Sequence, residues 1–221
     1  MARLPRLTLA GQAHWIILRG HSGKAVFSDE ADRQTFVAAL REAAASEQVR
    51  VHAVSLQDAE VHLLVTPSKA AALSRMMQAL GRRYVSAHHR RHGGSGTLWE
   101  GRFRSAVVEP GATLLDVLCL IDGRSEGEVP SGRTQRTAGE RAPWLSDPAE
   151  YWALGNTPFD RQAAWRLRLS EGLSDNRQQN LLKAAMGGWV VGSAEFARTV
   201  ADSAARPAVP RPRGRPASGT R

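Results

Sequence analysis

Between Ser74 and Arg104 seven arginines stand against a single acid, Glu100. Met76, Met77, Leu80, Tyr84 and Val85 recur at helical spacing, which predicts an amphipathic helix over 70–92. Its polar surface carries Arg75, Arg82, Arg83, Arg90 and Arg91, with His88, His89 and His92 among them. Gly93-Gly94 ends the helix, and a glycine-rich turn delivers Trp99, Arg102 and Arg104. A guanidinium presents a planar fork of donors that matches phosphate oxygens, so such a run suits a nucleic-acid backbone. A tryptophan among arginines adds a surface on which an unpaired base can stack. The competing reading is a solvated basic helix followed by a core tryptophan.

Other reactive side chains are few. Tyr84 and Tyr151 are the two tyrosines of the chain, and Cys119 is its one cysteine. A lone cysteine excludes an internal disulfide and a cysteine-based zinc cluster, and within Val117-Leu118-Cys119-Leu120 it reads as packing. The chain has neither a G-x-x-x-x-G-K-[ST] phosphate loop nor a Cys-x-x-Cys pair. His14, His21 and His52 are scattered and read as structural or exposed.

SRMMQALGRRYV (74–85), RRHGGSGTLWEGRFRS (90–105), VHAVSL (51–56) and HLLVTP (62–67) together carry a family likeness. They resemble the REP-associated tyrosine transposases, single-tyrosine HUH enzymes of bacteria that process single-stranded DNA. The likeness starts near Met1 and, with a gap around 124–146, continues into the C-terminal tail. It implies a metal held by a His-hydrophobic-His pair on a central strand and a tyrosine on a facing helix. The ion would polarise a DNA phosphate that the tyrosine oxygen attacks.

The matching positions here are Glu60, Val61 and His62, so the first histidine is replaced. Residues i and i+2 of a strand share a face, and a carboxylate with an imidazole can still bind Mg²⁺ or Mn²⁺. The alternative is an exposed edge-strand glutamate beside a packed histidine. Leu120 stands where the family has its tyrosine, and Arg124 where an asparagine often follows. Leucine has no nucleophile. Tyr84 could substitute only if its helix turned a different face to the metal.

The resemblance therefore implies DNA binding, at a hairpin in single-stranded DNA, without strand transfer. Two alternatives stand beside it: a metal-dependent nuclease using Glu60 and His62, and a decayed product with no DNA role. Some family members are homodimers.

Composition agrees with a polyanionic partner: the 221 residues carry a net charge of +9, with a pI near 11. No apolar run is long enough to span a bilayer and no signal-peptide pattern opens the chain, so a cytoplasmic protein is expected.

The positioning elements follow from local pattern. Strands are expected at 14–19, 49–56, 60–66 and about 103–109, with helices at about 29–46, 70–92 and about 112–122. Ser28 is read as the cap of the first helix, ahead of Asp29 and Glu30. The order strand, helix, strand, strand, helix, strand predicts an α+β ferredoxin-like sandwich, an antiparallel sheet with two helices on one face. Residues 1–123 would form this core, and 124–146, rich in glycine, serine, arginine and threonine, a linker. Residues 147–202 would form a helical appendage and 203–221 a disordered basic tail. Within the tail, Arg213-Gly214-Arg215 resembles the core of an AT-hook that enters the narrow minor groove of A·T-rich duplex. A merely basic tail is the equal alternative.

Overall fold

In a computed structural model of the chain, residues 6–125, 131–140, 142–204 and 206–210 are described. His14–Arg19 forms β1, Val49–Gln57 β2, Glu60–Pro67 β3 and Arg104–Val107 β4. The strands pair antiparallel in the order β2-β3-β1-β4, with Gln57 and Glu60 closing the β2–β3 hairpin. Helices α1 (Glu30–Ser46) and α2 (Ala70–His92) complete the ferredoxin-like βαββαβ core, and α3 (Ala112–Gly123) follows β4. The cap of α1 lies one residue later than expected: Asp29, not Ser28, accepts the Asp32 backbone N–H at 3.1 Å.

β1 is buried along all but its last residue because both faces of the sheet are covered. Ile16 and Leu18 pack with Phe36 and Leu40 of α1 and Leu73 and Leu80 of α2. Trp15 and Ile17 face the other way, into a second core built on Leu114, Val117 and Ile121 of α3. The rest of the chain joins that second core. Helices α5 (Ala149–Trp152), α6 (Pro158–Glu171) and α7 (Asp175–Gly187) contribute Tyr151, Trp165 and Leu181. Helix α6 starts with a Thr157–Asp160 capping box, and α7 is capped by Ser174 and closed by Gly188 at φ +68°. The final helix, α8 (Ala194–Ala204), packs Ala197 and Val200 around Val107 and Val190.

The stretch expected to be a linker contains α4 (Gly132–Ala138), and inside it Arg136 is completely buried. Its guanidinium binds Asp122 of α3 through Nε and Nη2, at 2.8 and 2.7 Å, and Asp147 through Nη1 at 2.7 Å. Nη1 also donates to the His52 carbonyl at 3.0 Å, beside the register shift in β2 between Val51 and Ala53. Trp165 Nε1 donates to the same Asp122 carboxylate at 3.0 Å. Gly132 is required next to this group, because a Cβ there would meet Arg136 Nη2 at 1.9 Å.

Both outer strands are covered by single bridges. Leu145 pairs with Val51 on β2, and Ser146 N–H donates to the Val51 carbonyl at 2.9 Å. Val191 pairs with Val108 beyond β4, and its N–H donates to the Val107 carbonyl at 2.8 Å.

Arg136→Leu would leave two buried carboxylates without a counter-charge, which costs about 3–5 kcal/mol when one partner of a buried pair is removed. Urea unfolding should show a loss of that order. Gly132→Ala, ordinarily favourable in a helix, should also destabilise.

Candidate nucleic-acid interface and the Glu60–His62 site

Strand alternation places Glu60, His62 and Leu64 of β3 on the α3 side of the sheet. Arg19 pairs across from Glu60, while Ile17 lies between His62 and Arg104 in register. Arg19, Glu60, His62 and Arg104 therefore share one face at one end of the sheet. Arg124, one residue past α3, reaches the same place because Ser55 Oγ on β2 donates to its carbonyl at 3.0 Å.

His62 is fully buried, and its two ring nitrogens have fixed roles. Trp15 Nε1–H donates to Nδ1 at 3.0 Å. Nδ1 is then the acceptor and the proton sits on Nε2, which donates to Glu60 Oε1 at 2.5 Å. Arg19 Nε donates to Glu60 Oε2 at 2.7 Å, and Arg124 Nη1 lies 3.9 Å from Glu60 Oε1 and 3.3 Å from His62 Nε2. The His62 hydrogen bond, helped by Arg19, holds the Glu60 carboxyl at about 2 against its burial. Burial pushes the His62 pKa below the usual histidine value, and Arg124 and Arg19 act in the same direction. The imidazole is therefore neutral at neutral pH.

A divalent ion at Glu60 and His62 would have to displace bonds that these residues already make. It would need the Nε2 lone pair, which is protonated here. Moving the proton to Nδ1 would set it against the Trp15 N–H. Among the described residues, the group of three histidine or carboxylate donors close enough to hold an ion lies elsewhere, at Asp32, His88 and His92. Glu60 and His62, the pair expected to hold Mg²⁺ or Mn²⁺, are joined with Arg19 and Arg124 in one charge cluster.

No tyrosine completes the site. Leu120 is buried in the second core, 5% exposed. Tyr84 lies on the other side of the sheet, fully buried, with its hydroxyl donating to the Val26 carbonyl and its pKa raised by burial. It cannot serve as the substitute nucleophile without unpacking α2. Tyr151 is buried too, and its hydroxyl donates to the Arg136 carbonyl at 3.3 Å. Burial pushes the Cys119 thiol up to about 11, away from the thiolate.

The arginines of α2 lie on the α1 side of the sheet, and acids on or beside α1 hold three of them. Arg75 pairs with Glu47 at 2.6 Å, Arg83 with Glu42 at 3.3 Å, and Arg91 with Asp29 and Asp32 at 2.5 and 2.6 Å. Arg82 is exposed and Arg90 bonds the Ser86 hydroxyl at 2.7 Å, so these two retain guanidinium groups without a carboxylate. Trp99 packs at the edge of the first core, 6.2 Å from the Phe36 ring and 6.1 Å from that of Tyr84. Its ring packs against the core and stays partly exposed. Arg102 and Arg104 are exposed. Arg213, Gly214 and Arg215 lie outside the described residues. Arg19 carried no motif that singled it out in the sequence, and Arg124 stood out only as a departure from the family pattern.

Residues 10–117 match the family model for IS200-like transposases. Over those residues the α+β core is similar to that family. A solved REP-associated tyrosine transposase bound to a REP hairpin is similar at 13% identity, over 55% of this chain and 71% of that one, with a TM-score of 0.47. A candidate transposase from Deinococcus radiodurans is similar at 21% identity, over 57% of this chain and all of that one, with a TM-score of 0.38. No curated protein matches the chain.

Glu60 is lowered from the usual 4.5 to about 2 in the folded protein. Its contribution to stability is therefore complete above pH 4.5 and is lost as pH falls towards 2. Glu60→Gln should flatten the acid limb of unfolding in that window, as followed by urea midpoints at successive pH values.

Proposed function

We propose that this chain is a DNA-binding member of the IS200-like transposase family that engages hairpins in single-stranded DNA without cleaving or rejoining them. One observation carries the reading: Arg19, Arg104 and Arg124 converge on the face where the family resemblance puts metal and tyrosine, and Leu120 stands at the tyrosine position. A phosphate entering there meets guanidinium donors and no nucleophile. Arg102 extends the basic surface, and Arg82 and Arg90 offer a second one on α2. Arg75, Arg83 and Arg91 would first have to leave the acids that hold them. The net charge of +9 supports the same partner. Arg213, Gly214 and Arg215 would add contacts to nearby A·T-rich duplex. No helix among the described residues is long and apolar enough to cross a membrane.

The alternatives are separated by one assay. A labelled single-stranded hairpin is incubated with the protein and Mg²⁺ or Mn²⁺, then run on a denaturing gel beside a binding lane. The expected result is a bound complex with intact DNA and no adduct. Cleavage without an adduct, lost in Glu60→Ala and His62→Ala, would establish a water-using nuclease instead. Absence of binding would remove the DNA role.

The logarithm of affinity should fall linearly with the logarithm of salt, with a slope of about 0.7 per phosphate contacted. Arg104→Ala should reduce that slope by roughly one contact's worth, about 0.7. Arg75→Ala, whose guanidinium is held by Glu47, should leave it unchanged. The opposite pattern would move the interface to α2.

A further inference from the structure

Asp32, in the first turn of α1, and His88 and His92, in the last turns of α2, each bring a donor atom to one point, all within 4.8 Å of one another. His88 and His92 are four residues apart, so they lie one above the other on the same side of the helix, with ring centroids 4.7 Å apart. His92 Nε2 lies 2.8 and 2.9 Å from the two oxygens of Asp32. The Asp32 side chain is 3% exposed, and the Ser28 backbone N–H, at 2.8 Å, fixes one of its oxygens. His88 Nδ1 is shielded from solvent and has no hydrogen-bond partner. An imidazole that the protein leaves incompletely bonded, beside a second imidazole and an oriented carboxylate, calls for a ligand that the protein does not itself supply.

We propose that Asp32, His88 and His92 form a binding site for a transition-metal ion of the Zn²⁺ class, clamping the start of α1 to the end of α2. Two imidazole nitrogens and one carboxylate oxygen are the donor set such ions take, with a fourth position open to water. Mg²⁺ is a poor match, because it prefers six oxygen ligands and keeps much of its water. On binding, the imidazole nitrogen that hydrogen-bonds Asp32 gives up its proton to solvent and its lone pair to the ion. Arg91 is the opposing charge at the site, donating to Asp32 at 2.6 Å. It also holds Asp29 through a second pair at 2.5 Å, so its charge stays neutralised when Asp32 turns to the ion. The site lies on the α1–α2 side of the sheet, across from Glu60 and His62, and does not depend on the DNA-binding reading.

The full-length protein, stripped with EDTA and dialysed, is titrated with Co²⁺ as a spectroscopic probe and with Zn²⁺ in competition, and bound metal is counted by elemental analysis. One ion per chain is expected, with a visible Co²⁺ band that Zn²⁺ bleaches and Mg²⁺ does not, and a Zn²⁺-dependent rise in thermal midpoint. His88→Ala removes no protein hydrogen bond through Nδ1 and should fold normally by circular dichroism, yet weaken binding at least about tenfold. His92→Ala should do the same, and His89→Ala, at the neighbouring histidine, should not. Absence of stoichiometric binding, or binding that survives both His88→Ala and His92→Ala, would overturn the assignment.

Discussion

Asp122, Arg136 and Asp147 form an ion triad with a completely buried centre, and the second half of the molecule is arranged around it. Each charge buried there is costly unless its counter-charges and hydrogen bonds are in place, so the three segments that supply them must arrive together. Arg136 thereby joins α3, α4, the strand β2 and the segment leading into α5, while Trp165 brings α6 to the same carboxylate. Pinning Asp122 fixes the end of α3 and therefore the position of Arg124, two residues on. The geometry at Glu60 and His62 is a consequence of packing on the far side of α3.

The departures from the family pattern become intelligible as a set. Glu60 and Arg124, two positions at which the sequence departs from the resembling family's pattern, form one charge cluster with Arg19. A guanidinium is a permanent cation on a tether: it can pair with a phosphate oxygen but has no open coordination position for activating one. The Trp15 hydrogen bond fixes the histidine tautomer whose outward nitrogen donates. Leu120 is buried in the second core, and the hydroxyls of Tyr84 and Tyr151 are bonded to backbone carbonyls elsewhere.

The α+β core was legible in the sequence because its signals are local. Apolar runs marked the strands, helical spacing marked α2, and the observed α2 spans the expected 70–92. What escaped was long-range pairing. Nothing in the arginine pattern of α2 shows that Glu42, Glu47, Asp29 and Asp32 lie opposite, so a helix that reads as wholly basic is half neutralised in the fold. Helix α4 escaped for a related reason. It is seven residues long and anchored by an arginine rather than by apolar periodicity, so its composition resembles that of a linker. The face shared by Arg19, Arg104 and Arg124 emerges only from strand register, which single-residue patterns do not encode.

The bridges at Leu145 and Val191 have an implication for assembly. An unpaired outer strand is a template on which another copy can extend the sheet. Here the outer edge of β2 is met by Leu145 and Ser146, and the end of β4 by Val191, both delivered by segments beyond the family core. Two copies could share one continuous sheet only after peeling these segments away, and on the β2 side that means disturbing the neighbourhood of Asp147 and its buried arginine. The C-terminal chain thus acts as a built-in guard at one point on each outer edge of the sheet.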